Sequence, residues 1–297
     1  MRAFVTGGHG FVGPHLLAHL EASGDDVVAP HQNEVDLDDQ DAITKAVVDA
    51  QPDAIYHLAA LAHVGESWAN PARTFDVNAV GTLRLLEAAR LVDPKPRVLL
   101  IGSAEVYGPV TPAEVPIEET RPLNPVTPYA VSKVAAEYLG IQYYAGFDVP
   151  VLRARSFNHI GPGQAGRFLV SDLASRIAEA KKTGEGVLRV GNTSPRRDYT
   201  DVRDVVRAYR LLITAGEAGE AYNVCSGVDV SVAQLAHKLL ELAGVDLAIE
   251  TDPSLLRPID VPVLVGSNKK LRQATGWSPS YSLDDTLQAV LAAYLVS

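Results

Sequence analysis

The stretch Gly7-Gly8-His9-Gly10-Phe11-Val12-Gly13 constrains the fold more than any other, because of what stands on either side of it. Arg2 to Thr6 reads as a short buried strand. Pro14 to Ser23 shows helical spacing through Leu16, Leu17 and Leu20 before Gly24 closes it. Strand, glycine turn and helix in that order turn a glycine pattern into a dinucleotide-binding loop. Gly7 permits the tight turn, Gly10 lets the backbone approach a pyrophosphate, and Gly13 lets the helix pack close to the sheet. The helix N-terminus then faces the anion. Without that context the same glycines would be only a turn.

The alternation continues. The strand Asp26 to Ala29 should end at the residue touching the adenine ribose. An acidic side chain there would hold the 2′-hydroxyl, and a basic one would suit a 2′-phosphate. Pro30, His31 and Gln32 stand at that point, so the sequence does not choose between NADH and NADPH. His31 is the residue placed to contact a phosphate. Asp36-Leu37 suits an adenine contact, or simply flanks the helix from Gln40 to Ala50. Ala54 to Leu58 is the third strand, and the small Ala59 and Ala60 after it let a ligand approach the backbone. Asn78 lies on a helix from about Arg73 to Leu91, either as a polar support for a neighbouring helix or as a satisfied core amide.

Arg97 to Ile101 is a continuous apolar strand suited to a parallel sheet, and it runs into Gly102-Ser103-Ala104-Glu105. Ser103 thus emerges at the carboxyl end of a central strand, where open α/β sheets place their chemistry. A lone serine there is usually a cap. This one precedes Tyr129-Ala130-Val131-Ser132-Lys133. Thr127 caps that helix, Pro128 suits its first position, and Tyr129 and Lys133 share one face a turn apart. Free tyrosine titrates near ~10, and a neighbouring cation lowers that value. A Tyr–Lys pair can therefore exchange a proton with a carbonyl or alcohol oxygen near neutral pH. Between the two lies a proline-rich excursion from Tyr107 to Pro128, expected on the rim of the site. The catalytic helix should reach Gly146, with the strand Val149 to Ala154 after it.

Composition bounds the partners. With 297 residues and 47% hydrophobic content the chain has ample material for a core in one large or two interlocked domains. A formal charge of −10 argues against a nucleic-acid-binding surface. Its single cysteine, Cys225, leaves no internal disulfide and fits a reducing compartment. No apolar run approaches the ~20 residues needed to span a bilayer, so a cytoplasmic protein is expected. His15 and His19 lie four apart with His9 nearby, but without further ligands they read as surface histidines and not as a metal site.

In these pieces the chain resembles the extended short-chain dehydrogenase/reductase family of nucleotide-sugar enzymes. The match runs through Thr6 to Gly13, His57-Leu58-Ala59-Ala60, Asn78, Ser103, Tyr129-x-x-x-Lys133 and Arg155-Ser156-Phe157-Asn158. Further on it resembles the GDP-4-keto-6-deoxy-mannose reductases. That likeness rests on Phe157 to Gln164, Arg197-Asp198-Tyr199-Thr200-Asp201, Tyr222 to Gly227, Leu256-Arg257-Pro258 and Gly266 to Leu271. The resemblance implies a Rossmann-type parallel sheet with helices on both faces, built from residues 1–157 with a return segment near 199–225. A smaller α/β substrate lobe would take residues 158–198 and 226–297. It implies NADPH or NADH held by Gly7, Gly10, Phe11, Val12, His31, Asp36, Leu37, Leu58, Ala59, Ala60, Asn78, Tyr129 and Lys133. Ser103, Tyr129 and Lys133 would be catalytic, with Glu105 as a possible acid/base or sugar contact.

A nucleotide diphosphate wants planar bidentate donors, which arginine supplies better than lysine. By resemblance Arg197 and Arg257 take that role, with Arg196 a weaker third and Asn158 on a phosphate or sugar oxygen. Arg203, Arg207 and Arg210 read as the solvated face of an amphipathic helix. The implied reaction is reduction of a GDP-linked 4-keto-6-deoxy sugar to GDP-rhamnose, by a homodimer. The alternatives are a GDP-mannose 4,6-dehydratase using Glu105, a 4-epimerase, and a non-catalytic cofactor sensor.

Overall fold

A computed structural model describes residues 1–184, 186–255 and 261–295. From the N-terminus the chain alternates β1 (Arg2–Thr6), α1 (Val12–Ala22), β2 (Asp26–Val28), α2 (Gln40–Ala50) and β3 (Ala54–His57). Next come α3 (Val64–Ala69), α4 (Pro71–Phe75), α5 (Gly81–Ala89) and β4 (Arg97–Ser103). They are followed by α6 (Pro128–Phe147), β5 (Val151–Ser156) and β6 (Asn158–Ile160). The second half contributes α7 (Leu169–Thr183), β7 (Val187–Val190), β8 (Arg196–Asp201), α8 (Val202–Ala215), β9 (Ala221–Val224) and β10 (Asp229–Ser231). It ends with α9 (Val232–Ala243), β11 (Ala248–Thr251), β12 (Val263–Leu264), α10 (Lys269–Thr275) and α11 (Leu283–Leu295).

Six strands form one parallel sheet in the order β2-β1-β3-β4-β5-β9. Every parallel crossover needs a helix, and the helices cover both faces. Leu16 and Leu20 of α1 and Tyr209 and Leu212 of α8 pack on one face. Ile43 and Val47 of α2, Leu85 and Leu86 of α5 and Tyr143 of α6 pack on the other. A separate cluster holds Leu173 and Ile177 of α7, Leu235 and Leu239 of α9 and Leu287 of α11. Beside it β8 pairs with β10, β12 and β6, and β7 pairs with β11.

Several boundaries differ from the sequence expectation, each for a local reason. Helix α1 begins at Val12, with Pro14 inside its first turn, where the amide that proline lacks has no partner anyway. The strand before Ser103 runs through Ser103 itself, because the Ser103 register opposite Ser156 continues the ladder. Conversely β5 starts at Val151 and ends at Ser156. The expected helix from Arg73 to Leu91 is interrupted: residues Asp76–Val80 form a π turn between α4 and α5. Such widenings gather at functional positions. The proline-rich excursion is anchored midway, since Ile117 donates to the Val265 carbonyl at 2.8 Å and accepts from Ser267 N at 2.8 Å.

Candidate active site

The glycine loop occupies the turn between β1 and α1. Gly7 has φ +70°, and a Cβ there would lie 2.6 Å from Ala59 N. A Cβ on Gly13 would lie 2.1 Å from the Gly8 carbonyl oxygen. Both glycines are thus required by contacts within the fold. Gly10 is different: a Cβ would meet only the Gly7 carbonyl oxygen, at 3.5 Å. Nothing in the protein demands glycine there, so the bare backbone above the α1 N-terminus fits a pyrophosphate approaching closely. The residues present accommodate a dinucleotide.

Around that loop the other expected contacts fall as follows. Phe11 and Val12 open α1, and Phe11 stacks near-parallel on His159 with centroids 6.0 Å apart. His31 is exposed and stacks on His9 at 3.5 Å, while His9 Nε2 lies 3.2 Å from the Ala29 carbonyl oxygen. Asp36 accepts from Asp38 N at 3.0 Å, and Leu37 is buried against Gly81. Leu58, Ala59 and Ala60 follow β3 in half-buried positions. Below them His57 is buried between Thr6 Oγ1 at 2.7 Å and Thr82 Oγ1 at 2.9 Å. Burial drives its pKa down to about 3, so it is a neutral strut.

Asn78 sits in the π turn and is fully engaged. Its Oδ1 accepts from Leu61 N at 2.8 Å, and its Nδ2 donates to the Leu61 carbonyl at 3.1 Å and to Ser132 Oγ at 2.9 Å. It joins the loop after β3 to the helix that bears Tyr129.

Thr127 caps α6 by accepting from Ala130 N at 3.1 Å, with Pro128 at the first position. This fixes Tyr129 and Lys133 on the face toward Ser103. The Tyr129 hydroxyl faces Ser103, and Lys133 Nζ donates to the Ile101 carbonyl at 2.9 Å. Ser103 Oγ also accepts from Glu105 N at 3.2 Å. All three side chains are buried at the carboxyl end of β4.

Here one sequence expectation is corrected. The Tyr129 phenol is not made acidic by Lys133. Burial pushes it up to about 12, Ser103 opposes that rise and the nearby Glu105 adds to it. Lys133 lies 5.9 Å from the ring centroid and is itself pulled down to about 8, chiefly by burial. The arrangement therefore keeps the phenol protonated, which suits a proton donor.

The far side of the site is built from β6, β8 and the chain between β6 and α7. Asn158 is exposed beside Tyr199 of β8. Arg197 is half-buried, and its Nη1 donates to the Arg196 carbonyl at 3.0 Å. Arg196 itself pairs with Asp229. Arg257 lies outside the described residues. Asp198 turns inward and accepts from Ser226 N at 2.8 Å, Ser226 Oγ at 2.6 Å and Gly227 N at 2.9 Å. Desolvation nevertheless pushes its pKa up to about 6.

A second correction concerns Arg203, Arg207 and Arg210, which are more than a solvated face. They pair with Asp201 at 2.7 Å, Asp204 at 2.5 Å and Asp25 at 2.7 Å, three carboxylates that are almost wholly buried. Two contacts between α3 with its cap and the start of α7 carried no sequence signal: Arg167 Nη1 reaches Glu66 Oε1 at 3.2 Å, and Phe168 meets the His63 ring edge-on at 5.8 Å. The buried Glu137, on α6 two turns beyond Tyr129, was equally silent. Among the described residues no group of three or more His, Cys, Asp or Glu side chains gathers to hold a metal ion, and no helix is long and apolar enough to cross a membrane.

Comparison with known proteins fits this geometry. The family described as GDP-mannose 4,6 dehydratase matches residues 28–290. A GDP-6-deoxy-D-mannose reductase of Pseudomonas aeruginosa strain PAO1 is 40% identical over 293 residues, 98% of this chain and 96% of that protein. A UDP-glucose 4-epimerase of Mycolicibacterium smegmatis is 32% identical, with 95% of each chain covered. Among solved structures, RMD from Pseudomonas aeruginosa complexed with NADPH superposes with a TM-score of 0.92 at 40% identity, covering 99% of both chains. A Thermus thermophilus UDP-glucose 4-epimerase in complex with NAD gives 0.89 at 30% identity, again over 99% of both. With a Rossmann-type sheet, a glycine loop at its first turn and a Ser–Tyr–Lys cluster at its carboxyl edge, this chain belongs to the extended short-chain dehydrogenase/reductase family of nucleotide-sugar enzymes.

Proposed function

We propose that this protein reduces the 4-keto group of GDP-4-keto-6-deoxy-D-mannose to give GDP-D-rhamnose, using NADPH or NADH. The observation that carries the reading is the buried Ser103–Tyr129–Lys133 cluster beside the glycine loop, in a chain 40% identical to a GDP-6-deoxy-D-mannose reductase. A bound dihydronicotinamide supplies hydride to the sugar C4.

The chain's own residues do the rest. Tyr129, held protonated by burial and by the charge on Glu105, donates its phenolic proton to the oxygen that gains negative charge at C4. Ser103 hydrogen-bonds that oxygen from the other side, stabilising charge as it develops. The ammonium of Lys133 lies one turn along the helix and would hold the nicotinamide ribose hydroxyls. Gly7, Gly10, Phe11 and Val12 would hold the pyrophosphate, with Leu58, Ala59 and Ala60 beside the cofactor. His31, Asp36 and Leu37 border the adenosine end, and Asn78 ties that wall to α6. Arg197 and Asn158 take the substrate diphosphate and sugar, with Arg257 as a third donor. We assign residues 1–157 with 199–225 to the cofactor part, and 158–198 with 226–297 to the substrate lobe. The entry of β9 into the six-stranded sheet supports that division.

Exposed apolar side chains run along α6 and α4, among them Val131, Tyr138, Ile141, Phe147 and Phe75. A cytoplasmic homodimer burying this face against a second copy accounts for them. Glu105, half-buried beside Tyr129, is the one feature that favours a second reading, a dehydratase in which this carboxylate moves the proton. Absorbance at 340 nm separates the two. Purified protein given reduced cofactor and GDP-4-keto-6-deoxymannose should consume one equivalent of each. No net change in absorbance would reject the reductase.

A further inference from the structure

The helix that carries Tyr129 and Lys133 bears a third ionisable group on the same face. Glu137 follows Lys133 by four residues, as Lys133 follows Tyr129, so the three lie one turn apart along α6. Glu137 is only 1% exposed. Its carboxylate is gripped from β5: Arg155 Nε lies 3.1 Å from both of its oxygens, Arg155 Nη2 lies 3.0 Å from Oε2, and Arg153 Nη1 lies 3.7 Å away. Gly102, the residue before Ser103, makes room for it, since a Cβ there would lie 2.8 Å from Glu137 Oε1. Arg155 also donates to Tyr107 Oη at 3.0 Å and to the Glu119 carbonyl at 2.9 Å, which fastens the clamp to the rim segment.

Burying such a pair is a poor way to gain stability, because desolvation offsets the attraction. A different need is close at hand. Lys133 is a buried ammonium, and a charge taken out of water requires a counter-charge. Resting on the reductase reading, we propose that Glu137 is a positioning residue: clamped by Arg155, it supplies the counter-charge that holds the Lys133 ammonium at the carboxyl end of β4.

The groups around Lys133 single out Glu137 for this. On α6 it faces the Tyr129 ring and Glu137. From β3 comes His57, neutral and itself depressed partly by the Lys133 charge. From β5 come Arg153 and Arg155, both turned to Glu137. Glu105 acts on Tyr129 instead, and Tyr129 in turn on Tyr209 of α8. Burial pulls Lys133 down to about 8, and Glu137 is the charge that works against that fall.

The test is the pH dependence of NADPH binding, followed by fluorescence from pH 6 to 9, in three variants: Glu137→Gln, Glu137→Asp, and the double variant Glu137→Met with Arg155→Met. The double variant replaces the ion pair by apolar groups of similar volume, a change that proteins commonly tolerate. In the wild type, binding should weaken above about 8. In Glu137→Gln and in the double variant that limb should move down by about one pH unit or more, so that affinity at pH 8 falls about fivefold or more while affinity at pH 6 is kept. Glu137→Asp should stay near wild type. A wild-type profile in either charge-removing variant would overturn the proposal, and so would failure of both to fold, which would make the pair purely structural. Wild-type protein that binds NADPH yet reduces no sugar would reject the reductase reading while this comparison still stood.

Discussion

Asn78 Nδ2 donates to Ser132 Oγ across 2.9 Å, joining the π turn that precedes α5 to the turn of α6 between Tyr129 and Lys133. Ser132 Oγ passes the link on, donating to the Tyr129 carbonyl at 2.7 Å. A polar side chain inside the helix pair thus sets where α6 sits against the π turn before α5.

Replacing Asn78 with Ala strands Leu61 N and the Leu61 carbonyl. Leu61 is partly exposed, so its stranded groups together cost no more than about 1–3 kcal/mol; denaturant titration should give a loss of that order, with kcat falling as well. An Asn78→Ala protein of unchanged stability would contradict this account.

Tyr129→Phe removes the proton donor and leaves the helix intact. Turnover at 340 nm should drop about 10²- to 10⁴-fold, the range for a lost general acid. NADPH binding should be largely retained, because the aromatic ring and the Lys133 ammonium stay in place on α6.

The pair formed by Arg167 and Glu66, which the proposed function places at the mouth of the cleft, is more than half exposed on each side. Glu66→Arg should raise KM and substrate off-rate, and adding Arg167→Glu should restore both. Exposed ion pairs couple by about 0.2–1 kcal/mol, which bounds the recovery. A double variant no better than the single would show that the contact does not bridge the cleft in solution.

Asp198 and His57 pull the pH dependence of stability in opposite senses. For Asp198 the folded value, about 6, exceeds the unfolded one, so the native state holds its proton longer. Its contribution is full below the unfolded pKa and is lost as pH rises to about 6. For His57 the folded value, about 3, lies below the unfolded one, so its contribution is present at neutral pH and lost as pH falls through 6 toward 3. Asp198→Asn should therefore gain stability relative to wild type between pH 4 and 7, by an amount on the order of 1–3 kcal/mol. Urea titrations at pH 4 and pH 7 measure it, and equal differences at the two values would count against the buried-carboxylate assignment.

Charging the apolar stripe should separate the copies. Tyr138→Asp with Ile141→Asp is expected to yield a monomer by sedimentation velocity with the fold retained, since both side chains are exposed within one chain. A wild type that already sediments as a monomer would remove the dimer from the proposal.

Local chemistry determined much of this. The glycine turn between strand and helix, the Thr127-Pro128 start of α6 and the four-residue step from Tyr129 to Lys133 are all short-range, and each dictates its geometry from its own residues. The alternation of strand and helix through the first half likewise left little choice but a parallel sheet. What tertiary structure alone decided was every effect that depends on who lies opposite. The proton affinity of Tyr129 turned on burial and not on its cationic neighbour. Arginines at helical spacing on α8 found buried carboxylates on β8, α8 and the turn before β2. Glu137 became a buried counter-charge because Arg155 and the missing side chain of Gly102 meet it from other strands. A periodic pattern reports which face of an element is apolar, but desolvation and charge pairing are sums over neighbours that only folding brings together.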